Sequence, residues 1–164
     1  MKRLYTICIL LLLVTNYCFA KPFDEHPTLP IGATAPAFNL KGVDGKFYSL
    51  ASFKSAAVLV IVFTCNHCPT AQAYEDRLIQ LKKDYANKGV AVVAISPNDP
   101  KSITLNELDY SDMSDSYEEM KIRAKQKQFN FPYLYDGDTQ AASKAYGPAI
   151  TPRLRRGVRN GPRR

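Results

Sequence analysis

The chain has no tryptophan, only two histidines (His26 and His67) and four cysteines (Cys8, Cys18, Cys65 and Cys68) in 164 residues. Each scarcity removes a class of chemistry. A structural zinc site needs four ligands, usually as two Cys or His pairs; beyond residue 20 only Cys65, Cys68, His26 and His67 are available, with no second pair. A c-type haem needs histidine after the second cysteine of its motif, and Pro69 stands there. No apolar run reaches the about 20 residues of a membrane span. Internal repeats and heptads are also lacking.

Positive charge is abundant but misplaced for a nucleic-acid-binding domain. Arg153, Arg155, Arg156, Arg159, Arg163 and Arg164 crowd the last twelve residues, and Lys2 and Arg3 add two more. Setting aside those eight charges turns the net charge of +7 into −1 for residues 21–152. The body is near neutral, so a high pI gives no reason to expect a specific nucleic-acid partner. One domain with a real core suits this length.

The first twenty residues, MKRLYTICILLLLVTNYCFA, read as a secretory signal peptide. Lys2 and Arg3 form its positive start, Ile7 to Val14 its short apolar run, and Cys18-Phe19-Ala20 a small-x-small cleavage site. The expectation is export to the periplasm or another extracytoplasmic compartment after cleavage at about Ala20, with no transmembrane span in the mature chain. Cys8 and Cys18 would leave with the leader. In an oxidising compartment disulfides persist, but a bridge between Cys65 and Cys68 closes almost no loop and stabilises little. The pair is better suited to chemistry than to structure.

Residues 21–35 read as an extended lead-in rich in proline and small polar residues. AFNLKGVDGKFYSLASF alternates around Asp44-Gly45, a hairpin signal. AAVLVIVF (56–63) is a continuous apolar run, as in a strand covered on both sides. Helical spacing follows from Pro69 to Lys88, with Tyr74, Leu78, Leu81 and Tyr85 on one face, Glu75 among the residues left for others, and Gly89 as the stop. Val90–Ile95 is a second buried strand, and strand–helix–strand implies a parallel βαβ unit. Beyond a polar stretch at 97–115 come a charged helix over 116–128 with Tyr117, Met120 and Ala124 inward, a strand at 131–135, and a short helix at 139–146 before Gly147. Sheets of this kind gather chemistry at the carboxyl ends of their strands, where Cys65 falls.

TCNHCP (64–69) therefore joins a strand end to a helix start. Cys65 is expected at the amino end of the helix, where unpaired N–H groups and the helix dipole favour a thiolate. His67, when protonated, adds positive charge nearby, and Cys68 lies about one turn on. Pro69 is tolerated in the first turn, where its missing N–H had no partner. Copper(I) carriage by the two thiols with a histidine also fits the ligand types and stays open.

In this order the residues resemble the thioredoxin-like superfamily, and within it exported redoxins related to the TlpA and AhpC/TSA groups. The resemblance spans roughly 31–152. It rests on Gly32-Ala33-Thr34-Ala35-Pro36-Ala37-Phe38-Asn39-Leu40, the Asp44-Gly45 turn, Ser49-Leu50-Ala51-Ser52-Phe53, the strand into Cys65-Asn66-His67-Cys68-Pro69, Val92-Val93-Ala94-Ile95-Ser96, and Ala149-Ile150-Thr151-Pro152. It implies an α/β thioredoxin-like fold with an N-terminal hairpin extension, and a thiol–disulfide oxidoreductase that needs no cofactor or metal. An exposed Cys65 would attack and Cys68 resolve, with His67 tuning the pair and Thr151-Pro152 positioning substrate as a cis-proline facing the dithiol. The implied partners are protein or small-molecule thiols and disulfides and a thiol protein that gives or takes electrons, in a redox-homeostasis or antioxidant role. Cys-x-His-Cys is similar to oxidising disulfide catalysts, whose couples lie at about −180 to −120 mV against about −270 mV for thioredoxin.

Three departures stand out. Thr64 replaces the tryptophan that commonly precedes the first cysteine. The peroxiredoxin signature, proline and Thr/Ser three residues before the reactive cysteine, is missing, with Val62 and Cys65 in those places; thiol peroxidase activity remains an alternative on the wider family name only. Finally, an antiparallel hairpin and closing helix should follow Pro152, yet RLRRGVRNGPRR neither alternates nor offers an apolar face. The sequence thus predicts an incomplete domain over 21–152 and a basic atypical tail over 153–164, from a reading frame shifted or truncated near 153, which leaves the sheet edge beside AAVLVIVF bare; an inactive product is an alternative reading. A genuine basic tail on a minimal domain is the rival reading.

Overall fold

The computed structural model describes residues 28–102, 111, 113–137, 139–147 and, as backbone, 153–159. The leader (1–20), His26, Thr151 and Pro152 lie outside the described residues.

The Asp44-Gly45 signal forms the expected hairpin. β1 (Asn39–Gly42) pairs antiparallel with β2 (Phe47–Ser49), and Gly45 sits at φ +82°, a left-handed turn conformation that glycine adopts without strain. β3 (Val58–Phe63), α1 (Pro69–Asp84) and β4 (Val90–Ser96) make the expected unit, β3 and β4 running parallel from Val58↔Val90 to Phe63↔Ile95. α2 (Tyr117–Gln126), β5 (Tyr133–Tyr135) and α3 (Ala141–Tyr146) follow. β5 lies parallel to β4 and antiparallel to β1. With β6 (Arg153–Arg159) the order across the mixed sheet is β2-β1-β5-β4-β3-β6, a thioredoxin-like α/β arrangement.

Strand alternation divides the core between the two faces of this sheet. Leu59, Ile61 and Phe63 pack with Val93, Ile95 and Tyr146 of α3 on one face. Val62, Val92 and Ala94 pack with Leu78 of α1 and Met120 of α2 on the other. Both faces of β3 are thus covered, which is why its sequence shows no polar face. On α2, Met120 is fully buried, Ala124 packs beside it, and the Tyr117 hydroxyl donates to the Gly42 carbonyl at 2.8 Å.

Two expectations are corrected. On α1 the buried side chains are Ala71, Glu75 and Leu78, while Tyr74 and Tyr85 are exposed. The tyrosines instead meet cations, Arg77 at 4.9 Å and Lys88 at 4.7 Å from their ring centres. Glu75 can turn inward because Arg123 of α2 binds it through Nε and Nη2 at 2.8 and 2.7 Å; burial of a charge requires such a partner. The helix also ends at Asp84, and turn residues carry the chain to Gly89 at φ +66°.

The second correction concerns the sheet edge expected to be bare. β6 pairs antiparallel with β3 in the register Phe63↔Arg153, Val62↔Leu154, Ile61↔Arg155, Val60↔Arg156 and Val58↔Arg159, with a bulge between Val58 and Val60. A strand ladder is built from backbone N–H and C=O groups, so a segment without alternation can still occupy an edge. The first strand of the expected hairpin is therefore present, and among the described residues no element follows it.

Candidate functional site

The loop from Thr64 to Cys68 leaves the carboxyl end of β3 and enters α1. Thr64 N–H donates to the Ile95 carbonyl at 3.0 Å, extending the β3–β4 ladder one residue further. The structure brings Cys65, His67 and Cys68 together here as the sequence suggested, and both cysteines are thiols. It arranges them differently, however. Cys68, not Cys65, is the residue that caps α1, with extended backbone (φ −76°, ψ 119°), and Pro69 occupies the first helical turn. Cys65 is 2% exposed, whereas Cys68 is partly exposed. The helix starts at Pro69, where its spacing began, and Asn66 and His67 lie before it, so Cys65 sits three residues ahead of the cap.

What holds them is Asp115, which is fully buried. Its Oδ1 accepts the backbone N–H groups of Asn66 at 2.6 Å and His67 at 3.3 Å. Its Oδ2 lies 2.6 Å from His67 Nδ1 and accepts from Asn98 Nδ2 at 2.6 Å. Asn66 is likewise buried and bound on all sides. Its Nδ2 donates to the Ser114 carbonyl at 2.9 Å, its Oδ1 accepts from the Tyr133 hydroxyl at 3.1 Å, and its own carbonyl accepts from Gln72 Nε2 at 2.6 Å. Hydrogen bonds this complete offset the desolvation cost of keeping the loop buried.

Electrostatics in this pocket disfavour added negative charge. Complete burial pushes the Tyr133 hydroxyl well above its ordinary range, with Asp115 and Cys65 contributing in the same direction. Tyr133 is a neutral donor to Asn66.

Cys65 Sγ, a ring nitrogen of His67 and a carboxylate oxygen of Asp115 lie within 4.8 Å of one another. These are donor types that metals use. The Asp115 carboxylate, though, already meets four N–H groups, two at each oxygen. Its acceptor capacity is taken up within the protein, so the cluster is complete as a hydrogen-bonded unit and we assign it no ligand role.

Asp115, Asn98 and Tyr133 were not singled out by the sequence. A weak signal exists in Ser114-Asp115-Ser116, which stands where a helix cap is expected before α2. Ser116 is that cap, its hydroxyl accepting from Glu119 N–H, and Asp115 is left over for the site.

Over residues 31–159 the chain matches the model of the AhpC/TSA family. It is 28% identical over 98 residues to the thiol-disulfide oxidoreductase ResA of Geobacillus thermodenitrificans, covering 58% of this chain and 55% of that protein. It is 37% identical over 75 residues to the chloroplastic peroxiredoxin Q of Populus jackii, covering 43% and 33%. The chain thus spans about half the length of the first and a third of the second. The crystal structure of an uncharacterized conserved protein from Geobacillus kaustophilus superimposes with a TM-score of 0.67 at 42% identity, covering 77% of this chain and 62% of that one. The match takes in the dithiol loop and runs to the end of β6, and the chain belongs to the AhpC/TSA family.

Proposed function

We propose that the chain is a thiol–disulfide oxidoreductase working through the Cys65–Cys68 couple. One observation carries the reading: two thiols share one immobilised loop at a helix start, one partly exposed at the helix cap and the other buried behind it. Their exposures favour roles opposite to those the resemblance implied. The Cys68 thiolate attacks a substrate disulfide, forming a mixed disulfide and releasing one substrate thiolate. Cys65 then loses its proton and attacks Cys68 Sγ, forming the Cys65–Cys68 disulfide and releasing the second substrate thiolate. Two electrons pass from the protein to the substrate, and a reduced partner thiol reverses the steps. A helix N-terminus suits the first step because it favours negative charge on the atom that must attack.

The name of the ResA relative supports this chemistry, and substrates of the same class, protein or small-molecule disulfides and thiols, are inferred. The leader's composition supports a site of action outside the cytoplasm, and N-terminal sequencing after expression with the leader checks cleavage at Ala20; a substrate-positioning role for Thr151-Pro152 is inferred from the family resemblance. No helix among the described residues is long and apolar enough to cross a membrane.

The deciding experiment is a titration of the purified protein against reduced and oxidised glutathione, with thiols counted by alkylation and mass. A single two-electron transition that converts the Cys65 and Cys68 thiols into one disulfide is expected. Failure to form an intramolecular disulfide at any ratio overturns the proposal. Copper retained on purification, or rapid turnover of hydrogen peroxide, would favour metal carriage or peroxidase activity instead.

A further inference from the structure

A buried resolving thiol needs somewhere to put its proton, and the loop supplies it. Cys65 has almost no access to water, so bulk solvent cannot readily accept the proton when Cys65 attacks. His67 is adjacent, with a side chain 14% exposed, and a ring nitrogen within 4.8 Å of Cys65 Sγ. We propose that Asp115 is a positioning residue for the second step of exchange: it holds His67 so that the imidazole receives the Cys65 proton and returns it to the departing substrate thiolate. The inference rests on the dithiol reading above.

The argument runs through hydrogen-bond capacity. An ionised carboxylate only accepts. With Asn98 also donating to Oδ2, His67 Nδ1 carries its hydrogen toward Asp115, and the neutral ring offers Nε2 as its one acceptor. Asp115 also binds the backbone N–H of His67, so ring and main chain are fixed together. With Nε2 turned toward Cys65 Sγ, nucleophile, base and orienting carboxylate would form a Cys–His–Asp series of the kind that activates weak nucleophiles. The Cys65 proton moves to His67 as its sulfur bonds to Cys68, the mixed disulfide breaks, and the leaving thiolate takes the proton from the imidazolium.

Two measurements test this on the full chain carrying Cys8→Ser and Cys18→Ser, which leaves Cys65 and Cys68 as its cysteines. Long-range proton–nitrogen NMR of neutral His67 should show hydrogen on Nδ1 and a bare Nε2. An Nε2–H tautomer overturns the proposal, whether or not the protein exchanges disulfides. Reaction with a chromogenic aromatic disulfide releases one thiolate when Cys68 is modified and a second when Cys65 resolves. Asp115→Asn keeps an oxygen for the Asn66 and His67 N–H groups and is expected to slow the second phase at least tenfold more than the first, inside the range general bases supply. His67→Ala should slow the second phase likewise, and the double variant should be no slower than the worse single one. Equal slowing of both phases, or additive effects, sinks the assignment; if Asp115→Asn does not fold, the wild-type tautomer and the His67→Ala kinetics decide. A missing first phase in the wild type counts against the dithiol reading, and the tautomer still reports on Asp115.

Discussion

The two long helices begin in opposite ways. At α2 the start is closed: Ser116 Oγ accepts from Glu119 N–H, Glu118 and Glu119 place carboxylates in the first turn, and the Glu119 carboxylate takes hydrogen bonds from Ser114 N–H and Oγ. At α1 the start is open: Cys68 makes no side-chain capping bond, Pro69 follows, and the first turn holds no acidic residue. Orphan N–H groups and the positive end of the dipole are consumed at α2 by groups that stabilise the helix. At α1 they remain available to an anion, and the residue set there is a thiol. The difference separates a terminus built for stability from one kept for chemistry, and α1 draws its stability from elsewhere.

Part of that support is Glu75, and removing its partner should give the largest effect. Arg123→Met leaves a carboxylate 5% exposed with only Lys127 Nζ, at 3.6 Å, nearby. Urea denaturation should show a loss of about 3 kcal/mol, the low end for a broken buried pair, with thiol kinetics of the folded fraction unchanged. An effect confined to kinetics would mean that the α1 start depends on α2 in a way this contact does not explain.

The next effect comes from alkaline pH and bears on the loop that feeds α1. Burial raises the Tyr146 hydroxyl from 10.0 to about 12 and pushes the Tyr133 hydroxyl well above its ordinary range. Folded values above unfolded ones mean that the stability linked to neutral phenols is whole below pH 10 and lost as pH rises through the folded values. Denaturation midpoints should be flat with respect to these groups up to pH 10 and fall between 10 and 12. Tyr133→Phe, less stable at neutral pH because Asn66 Oδ1 loses its donor, should fall less steeply over that window.

Smaller effects isolate the helix starts themselves. Ser116→Ala should cost about 1 kcal/mol and leave both phases of disulfide reaction intact. Cys68→Ser does the reverse: it supplies a capping hydroxyl, gains a few tenths of a kcal/mol, and abolishes exchange. Of similar size, Thr70→Glu places a carboxylate in the exposed first turn of α1. It should stabilise by about 0.5 kcal/mol while slowing the first reaction phase severalfold. A stability loss with unchanged rate would show that the open start serves no electrostatic purpose.

Much of the molecule was legible because the signals are local. Asp44-Gly45 made its hairpin, the apolar run at 56–63 became a strand covered on both faces, and Gly147 ended α3 at φ +57°. TCNHCP marked the site for the same reason, since a strand end, a Cys pair and a proline suited to a first turn are adjacent in the chain. The inward face of α1 was misread because Glu75 counts as polar by periodicity, and Arg123, 48 residues away, makes its burial tolerable.

What the sequence by itself determined is therefore the order of elements and the location of the dithiol, both set by patterns within a few residues. Tertiary structure alone decided which thiol is exposed, because α1 starts at Cys68 only when Asp115 holds Asn66 and His67 out of the helix. It also decided that a run of arginines could close the edge of β3. Both outcomes depend on hydrogen bonds between segments far apart in the chain, and a hydrogen-bonding group carries no mark in the sequence of the partner it will find.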